Sequence, residues 1–164
     1  MKVWSWLKEN INKSTECMWL APPSPNLDFK TISTWCYGMF LDGSHCVLVL
    51  SQSSFLSKFM SRACVKRFEQ NDVDLRQHGD DHIVTEENNA RFYFYSLKDY
   101  PTASVGFDYV IICIDEKDVR NREFLKAFFY YGGKTRLILY VHSYGQTNSV
   151  RVVTDFEEMF AYFL

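Results

Sequence analysis

Apolar and polar positions alternate in blocks along this chain, and the blocks switch between two periods. Trp4, Leu7 and Ile11 recur at helical spacing and predict a short amphipathic helix at the start. Glu16 to Ala21 (ECMWLA) reads as a first strand. Pro22, Pro23 and Pro25 follow, and proline removes amide donors and fixes φ, so Pro22 to Asn26 is expected to be a loop. A helix is then expected from about Lys30 to Leu41, ended by the turn residues Asp42, Gly43 and Ser44. His45 to Leu50 (HCVLVL) is a short continuous apolar run, the pattern of a strand buried on both faces in a parallel sheet.

After the polar break Ser51 to Ser54, a helix is predicted over Ser54 to Gln70. Phe55, Phe59, Met60, Ala63, Cys64 and Phe68 are expected to form its apolar face, and Lys58, Arg62 and Lys66 its solvated one. Asn71 to Asp81 is polar and acidic and reads as an exposed loop. His82 to Thr85 and Arg91 to Ser96 read as a hairpin-like pair of strands across Glu86 to Asn89. Phe107 to Ile114 and Thr135 to Val141 are further buried strands, with a helix expected from Val119 to Tyr130 between them. Val150 to Val153 is a short strand, and Asp155 to Leu164 a closing helix. Strands alternating with helices imply an α/β fold whose sheet is mainly parallel.

With 164 residues the chain is expected to form one domain spanning 1–164, and 47% hydrophobic residues suffice for a core. The net charge of −2 opposes general coating of nucleic acid or of an anionic membrane. Five scattered cysteines with no CxxC spacing read as small buried hydrophobes in a reducing compartment. Asp80, Asp81 and His82 are potential metal ligands, although a polar loop is the commoner meaning of such a run. Lys8, Glu9, Asn10 and Asn12 interrupt any signal-peptide core, and no window is apolar for the ~20 residues a spanning helix needs. An intracellular, cytoplasmic location with no membrane partner is therefore expected.

Two stretches carry potential chemistry. Val110 to Glu116 (VIICIDE) is an apolar strand ending in adjacent carboxylates, and a carboxylate at a strand end wants water, a cation or a donor. Upstream, Lys30 and Thr31 stand between the first strand and its helix, where a phosphate-binding GxxxxGK[ST] loop would place its Lys-Ser/Thr pair. The strand HCVLVL with Ser51, Gln52 and a basic helix comes next. Gly106 to Tyr109 leads into the Asp-Glu strand, and TRLILYV runs into the small polar residues His142 to Asn148.

In this order, over roughly residues 16–150, the layout resembles the N-terminal ATPase domain of viral large terminase subunits, the motors that package DNA. The superfamily 2 helicase core is the near alternative. The resemblance implies a three-layer RecA-like sheet with helices on both faces. It also implies, if the site is active, ATP held by Lys30 and Thr31, Mg²⁺ held through Asp115, and Glu116 polarising the attacking water. The pattern is broken in one place. Both loop glycines are absent, with Ser24 and Phe29 in their stead, and glycine is what lets backbone amides wrap a phosphate. The family's C-terminal nuclease domain has no counterpart before Leu164, so a packaging motor made of this chain alone is not expected.

Three functions follow. The leading expectation is a non-catalytic protein-interaction or regulatory module of viral or phage origin, with a protein partner and no cofactor. Aromatic residues such as Phe92, Tyr93, Phe94 and Tyr95 are candidates for its contact surface. The second is an active Mg²⁺-dependent ATPase of packaging or helicase type. The third is a nucleic-acid-binding domain using Lys58, Arg62, Lys66 and Arg67 on the helix 54–70.

Overall fold

The computed structural model describes residues 16–21, 25–99, 106–115, 136–142 and 149–153. The expected helices at 1–13, 119–130 and 155–164 lie outside these residues. The described elements are β1 (Glu16–Ala21), α1 (Pro25–Asp42), β2 (Cys46–Ser51), α2 (Ser54–Gln70), β3 (Leu75–Gln77), β4 (His82–Thr85), β5 (Arg91–Ser96), β6 (Tyr109–Asp115), β7 (Arg136–His142) and β8 (Ser149–Val153). No helix among them is long and apolar enough to cross a membrane.

The eight strands form one sheet in the order β3-β4-β5-β2-β6-β7-β1-β8. β5, β2, β6, β7 and β1 run parallel; β4 and β8 pair antiparallel on either side of this centre, and β3 pairs antiparallel with β4 at the edge. The central strands are the continuous apolar runs of the sequence, as burial of both faces requires. Val47, Val49, Ile111 and Ile138 point to one face, where α1 and α2 pack. Leu48, Leu50, Val110, Ile112, Ile114 and Leu139 alternate to the other face and are also buried. Both faces of the sheet are therefore covered, the three-layer α/β arrangement of a RecA-like fold.

α1 and α2 lean on each other through a T-shaped pair of Phe40 and Phe68, whose ring centroids are 5.6 Å apart. Phe68 reaches on to Phe92 of β5 at 5.3 Å, and Trp35 of α1 meets Tyr140 of β7 edge-on at 5.7 Å. Offset and edge-to-face packing of this kind adds to area burial.

Three expectations are corrected. First, α1 starts at Pro25, five residues before Lys30. Proline at the first helical position costs nothing, because that amide has no intrahelical acceptor in any case. Second, α2 buries Ser57, Met60, Ser61, Cys64 and Phe68, while Phe55 and Phe59 are exposed. At about 100° per residue, Phe55 and Phe59 lie nearly opposite the centre of the buried stripe. Small serines at 57 and 61 are the residues that lie against the core. Third, the polar stretch 71–81 contains β3, which pairs antiparallel with β4 through Leu75↔Thr85 and Gln77↔Ile83. Asp72, at φ 58°, makes the reversal from α2 into it.

Candidate functional site

In open parallel sheets, ligands sit beyond the carboxyl ends of the strands, and the register shows which residues meet there. Ala21 of β1 pairs with His142 of β7, and His142 pairs with Asp115 of β6. The ends of β1, β7 and β6 thus form one row. With strands ~4.8 Å apart, the backbone of Asp115 lies ~10 Å from that of Ala21, with β7 between them. β6 runs past its last pairing with β2, Leu50↔Ile112, and its final residues Cys113 to Asp115 pair only with β7. The last residues of β6 and β1 therefore flank the end of β7. Glu116 lies outside the described residues, and of Asp115 the backbone position is described.

On the α1 side, the helix has advanced into the segment that would cradle a phosphate. An α-helix beginning at Pro25 uses the N–H groups from Asp28 onward in bonds to carbonyls four residues earlier. Those of Lys30 and Thr31 are among them. The Lys30 carbonyl additionally accepts from Ser33 Oγ at 3.0 Å and Thr34 Oγ1 at 2.7 Å. Thr31 is 8% exposed. Lys30 is exposed, and the neighbouring Phe29 ring stacks on Phe59 of α2 at 6.0 Å and 14°. Between Ala21 and Thr31, Pro22, Pro23 and Pro25 have no N–H at all. Among the described residues of the first turn, only Asn26 and Leu27 keep an amide that the helix does not use.

A second concavity lies at the same end of the sheet, nearer its β3 edge. A cleft of ≈ 350 Å³ is bounded by Ser54, Ser57 and Lys58 of α2, the turn Gly79 to Asp81, the end of β5 from Phe94 to Ser96, and Asp99. Its two sides differ in charge. The first turn of α2, capped by Ser53 Oγ accepting from the Leu56 N–H at 3.2 Å, and Lys58 are positive. Asp80, Asp81 and Asp99 are negative, and Asp99 accepts from Ser96 Oγ at 3.0 Å. Burial pushes the Tyr95 hydroxyl pKa up, and the Asp81 charge adds to that.

Next to the cleft, His82 stacks on Tyr93 at 4.2 Å and 10°, and His78 on His82 at 5.0 Å. Burial holds His82 below the usual imidazole range, with His78 and Arg91 acting the same way against Asp81. Among the described residues, no three His, Cys, Asp or Glu side chains gather as a metal site.

The four basic residues singled out in the sequence divide. Lys58, Arg62 and Lys66 are exposed along α2, whereas Arg67 is half-buried in its last turn. Phe55 and Phe59, expected from the sequence on the apolar face of this helix, stand in solvent beside these basic residues instead. Phe55 is 68% and Phe59 38% exposed, their rings 4.6 Å apart, and the Arg62 guanidinium carbon stands 5.7 Å from the Phe59 ring centre. The 57/60/61/64/68 spacing on the buried side is the signal that would have turned the helix correctly. In β5 the strand period separates the four aromatics: Phe92 and Phe94 enter the core, and Tyr93 and Tyr95 are half-buried on the other face.

No family model matches the sequence, and no curated protein matches it. Solved structures do match in fold. The large terminase of bacteriophage HK97 aligns at TM-score 0.56 with 12% identity, over 83% of this chain and 30% of that one. A large terminase from a thermophilic bacteriophage aligns at TM-score 0.62 with 10% identity, over 85% and 37%. The large terminase ATPase domain of Thermus phage P74-26 aligns at TM-score 0.53 with 9% identity, over 79% and 61%. The chain thus spans from under a third to about three fifths of these proteins' lengths. At such identities the likeness establishes architecture: this chain has the fold of the ATPase domain of phage large terminases.

Proposed function

We propose that this chain is a terminase-type domain of viral or phage origin that no longer transfers phosphoryl groups and acts inside the cell as a protein-interaction module. The observation that carries the reading is the start of α1 at Pro25. Phosphate binding by such a fold depends on a nest of free backbone N–H groups in front of the helix. Here the amides of Lys30 and Thr31 are bonded within the helix, Thr31 is buried, and three prolines remove further donors.

A hydrogen bond to a charged group contributes about 2 kcal/mol. Losing three of them weakens binding by about 6 kcal/mol, which carries a micromolar nucleotide site past the millimolar range.

One solved neighbour, the large terminase of a thermophilic phage, holds ADP. If that property extended to this chain, Lys30 would contact the phosphates, Thr31 would join Asp115 in holding the nucleotide's Mg²⁺, and Glu116 would activate water. Phosphate release from ATP and Mg²⁺ tests the choice. The expected result is a rate no higher for the wild-type protein than for Lys30→Ala or Glu116→Gln. A wild-type rate that both variants abolish would establish the enzyme instead.

A further inference from the structure

The geometry points to the solvent face of α2, where Phe55 and Phe59 protrude between Lys58, Arg62 and Lys66, as the docking surface for an acidic amphipathic helix of a partner protein. This rests on the interaction-module reading and names the surface and the partner's chemistry.

Exposed phenylalanines are unremarkable singly, but these two are adjacent at i and i+4, with rings 4.6 Å apart. Phe29 of α1 backs Phe59 at 6.0 Å and 14°, so the patch bridges two helices and is held from below. Phe59 therefore contacts Phe29, Phe55 and Arg62 while 38% exposed, and Phe55 remains 68% exposed. A ridge held in this way meets a partner with little loss of side-chain freedom. Apolar side chains one helical turn apart match those of a facing helix.

Charge selects the occupant. Lys58, Arg62 and Lys66 flank the ridge, and no carboxylate stands between Ser54 and Phe68 on α2. A partner helix with aliphatic residues on one face and Glu or Asp at its margins would satisfy both features. A second copy through the same face would bring two basic stripes together and is disfavoured. A nucleic-acid strand is disfavoured because the basic stripe is confined to α2 and the chain carries a net charge of −2, which is short of the extended positive field a phosphate backbone needs.

The probe is a synthetic helical peptide of about 18 residues with leucines along one face and glutamates flanking them. Its binding is followed by fluorescence anisotropy. A lysine-for-glutamate version, a thymidine oligonucleotide and sedimentation of the protein alone are run in parallel. The acidic peptide is expected to bind, more weakly as salt rises. Phe55→Ser alone should reduce affinity at least ~10-fold, as loss of a central aromatic anchor does, and its position in solvent leaves the fold intact. Lys58→Glu with Arg62→Glu should transfer binding to the lysine peptide.

Four results would overturn the inference: no acidic-peptide binding, binding unchanged by Phe55→Ser, preferential oligonucleotide binding lost on Phe55→Ser, or a dimer that Phe55→Ser dissolves. Nucleotide binding at Lys30 would overturn the earlier reading and leave these peptide results unaffected.

Discussion

Replacing Asn88 by alanine should loosen the far end of α1, although residue 88 belongs to a turn 48 residues later in the chain. Asn88 sits between β4 and β5, and its Nδ2 donates to the carbonyls of Phe40 at 2.8 Å and Gly43 at 3.1 Å, at the end of α1. Its Oδ1 accepts from Thr85 Oγ1 at 2.6 Å and from the Ala90 N–H at 3.2 Å. No other orientation of the amide satisfies all four groups.

Neutral hydrogen bonds contribute about 1 kcal/mol each, and a buried group left without a partner costs more. Here every partner keeps a second bond. Phe40 O still accepts from the Gly43 N–H, Gly43 O from the His45 N–H, and the Ala90 N–H still donates to Thr85 Oγ1. The loss for Asn88→Ala should therefore lie below the simple sum, at about 2–3 kcal/mol, or a fall of ~5–10 °C in Tm for a domain of this size. Asn88→Asp keeps the acceptor but turns a second oxygen toward two carbonyls. It should be at least as destabilising at neutral pH and recover partly in acid, when the carboxyl gains a proton to donate. Urea unfolding, followed by the fluorescence of tryptophans such as buried Trp35, reads both variants. A loss under about 0.5 kcal/mol for Asn88→Ala, or Asn88→Asp more stable than Asn88→Ala, would refute the reasoning, since surface changes typically fall in that range.

His82 has its pKa lowered in the folded state, by burial first and then by His78 and Arg91. The unfolded chain therefore binds the proton more readily, and stability should fall as pH drops through the ordinary histidine value of about 6.5. The difference in Tm between the wild-type protein and His82→Gln, followed from pH 7.5 to 5.5, should shift against the wild type in acid; a constant difference would contradict this. Asp108 ties three strands together: its Oδ2 accepts from the Cys46 N–H at 2.7 Å, its N–H donates to Cys46 O at 2.8 Å, and its carbonyl accepts from the Arg136 N–H at 3.0 Å. Asp108→Ala removes only the first, and because that side chain is half exposed the cost in urea unfolding should be about 1 kcal/mol.

Much of the fold was legible because the strands of a doubly covered sheet have nowhere to put polar residues. HCVLVL, FDYVIICI and TRLILYV announce themselves, and α2 and the β4–β5 hairpin begin and end where turn and capping residues stand. The misreadings have separate causes. Pro25 looks like a helix breaker until its place as first residue is known. Phe55 and Phe59 look like core until helix rotation shows serines on the inner stripe, because hydrophobicity says which residues favour burial and packing decides which obtain it. β3 is three residues long and takes its identity from β4, which no local pattern reveals. For the candidate site, the order of Lys30-Thr31 and Asp115-Glu116 along the chain foretold the fold. Whether amides stand open before α1 depends on where the helix starts, and that is a property of the folded backbone.

Calorimetric titration of the protein with a non-hydrolysable ATP analogue and Mg²⁺, alongside Lys30→Ala, bears most directly on the central claim. With the amides of Lys30 and Thr31 bonded inside α1, wild-type and variant proteins should both give no binding heat up to millimolar nucleotide. Micromolar binding that disappears in Lys30→Ala would contradict the account and restore this chain to the ATPases.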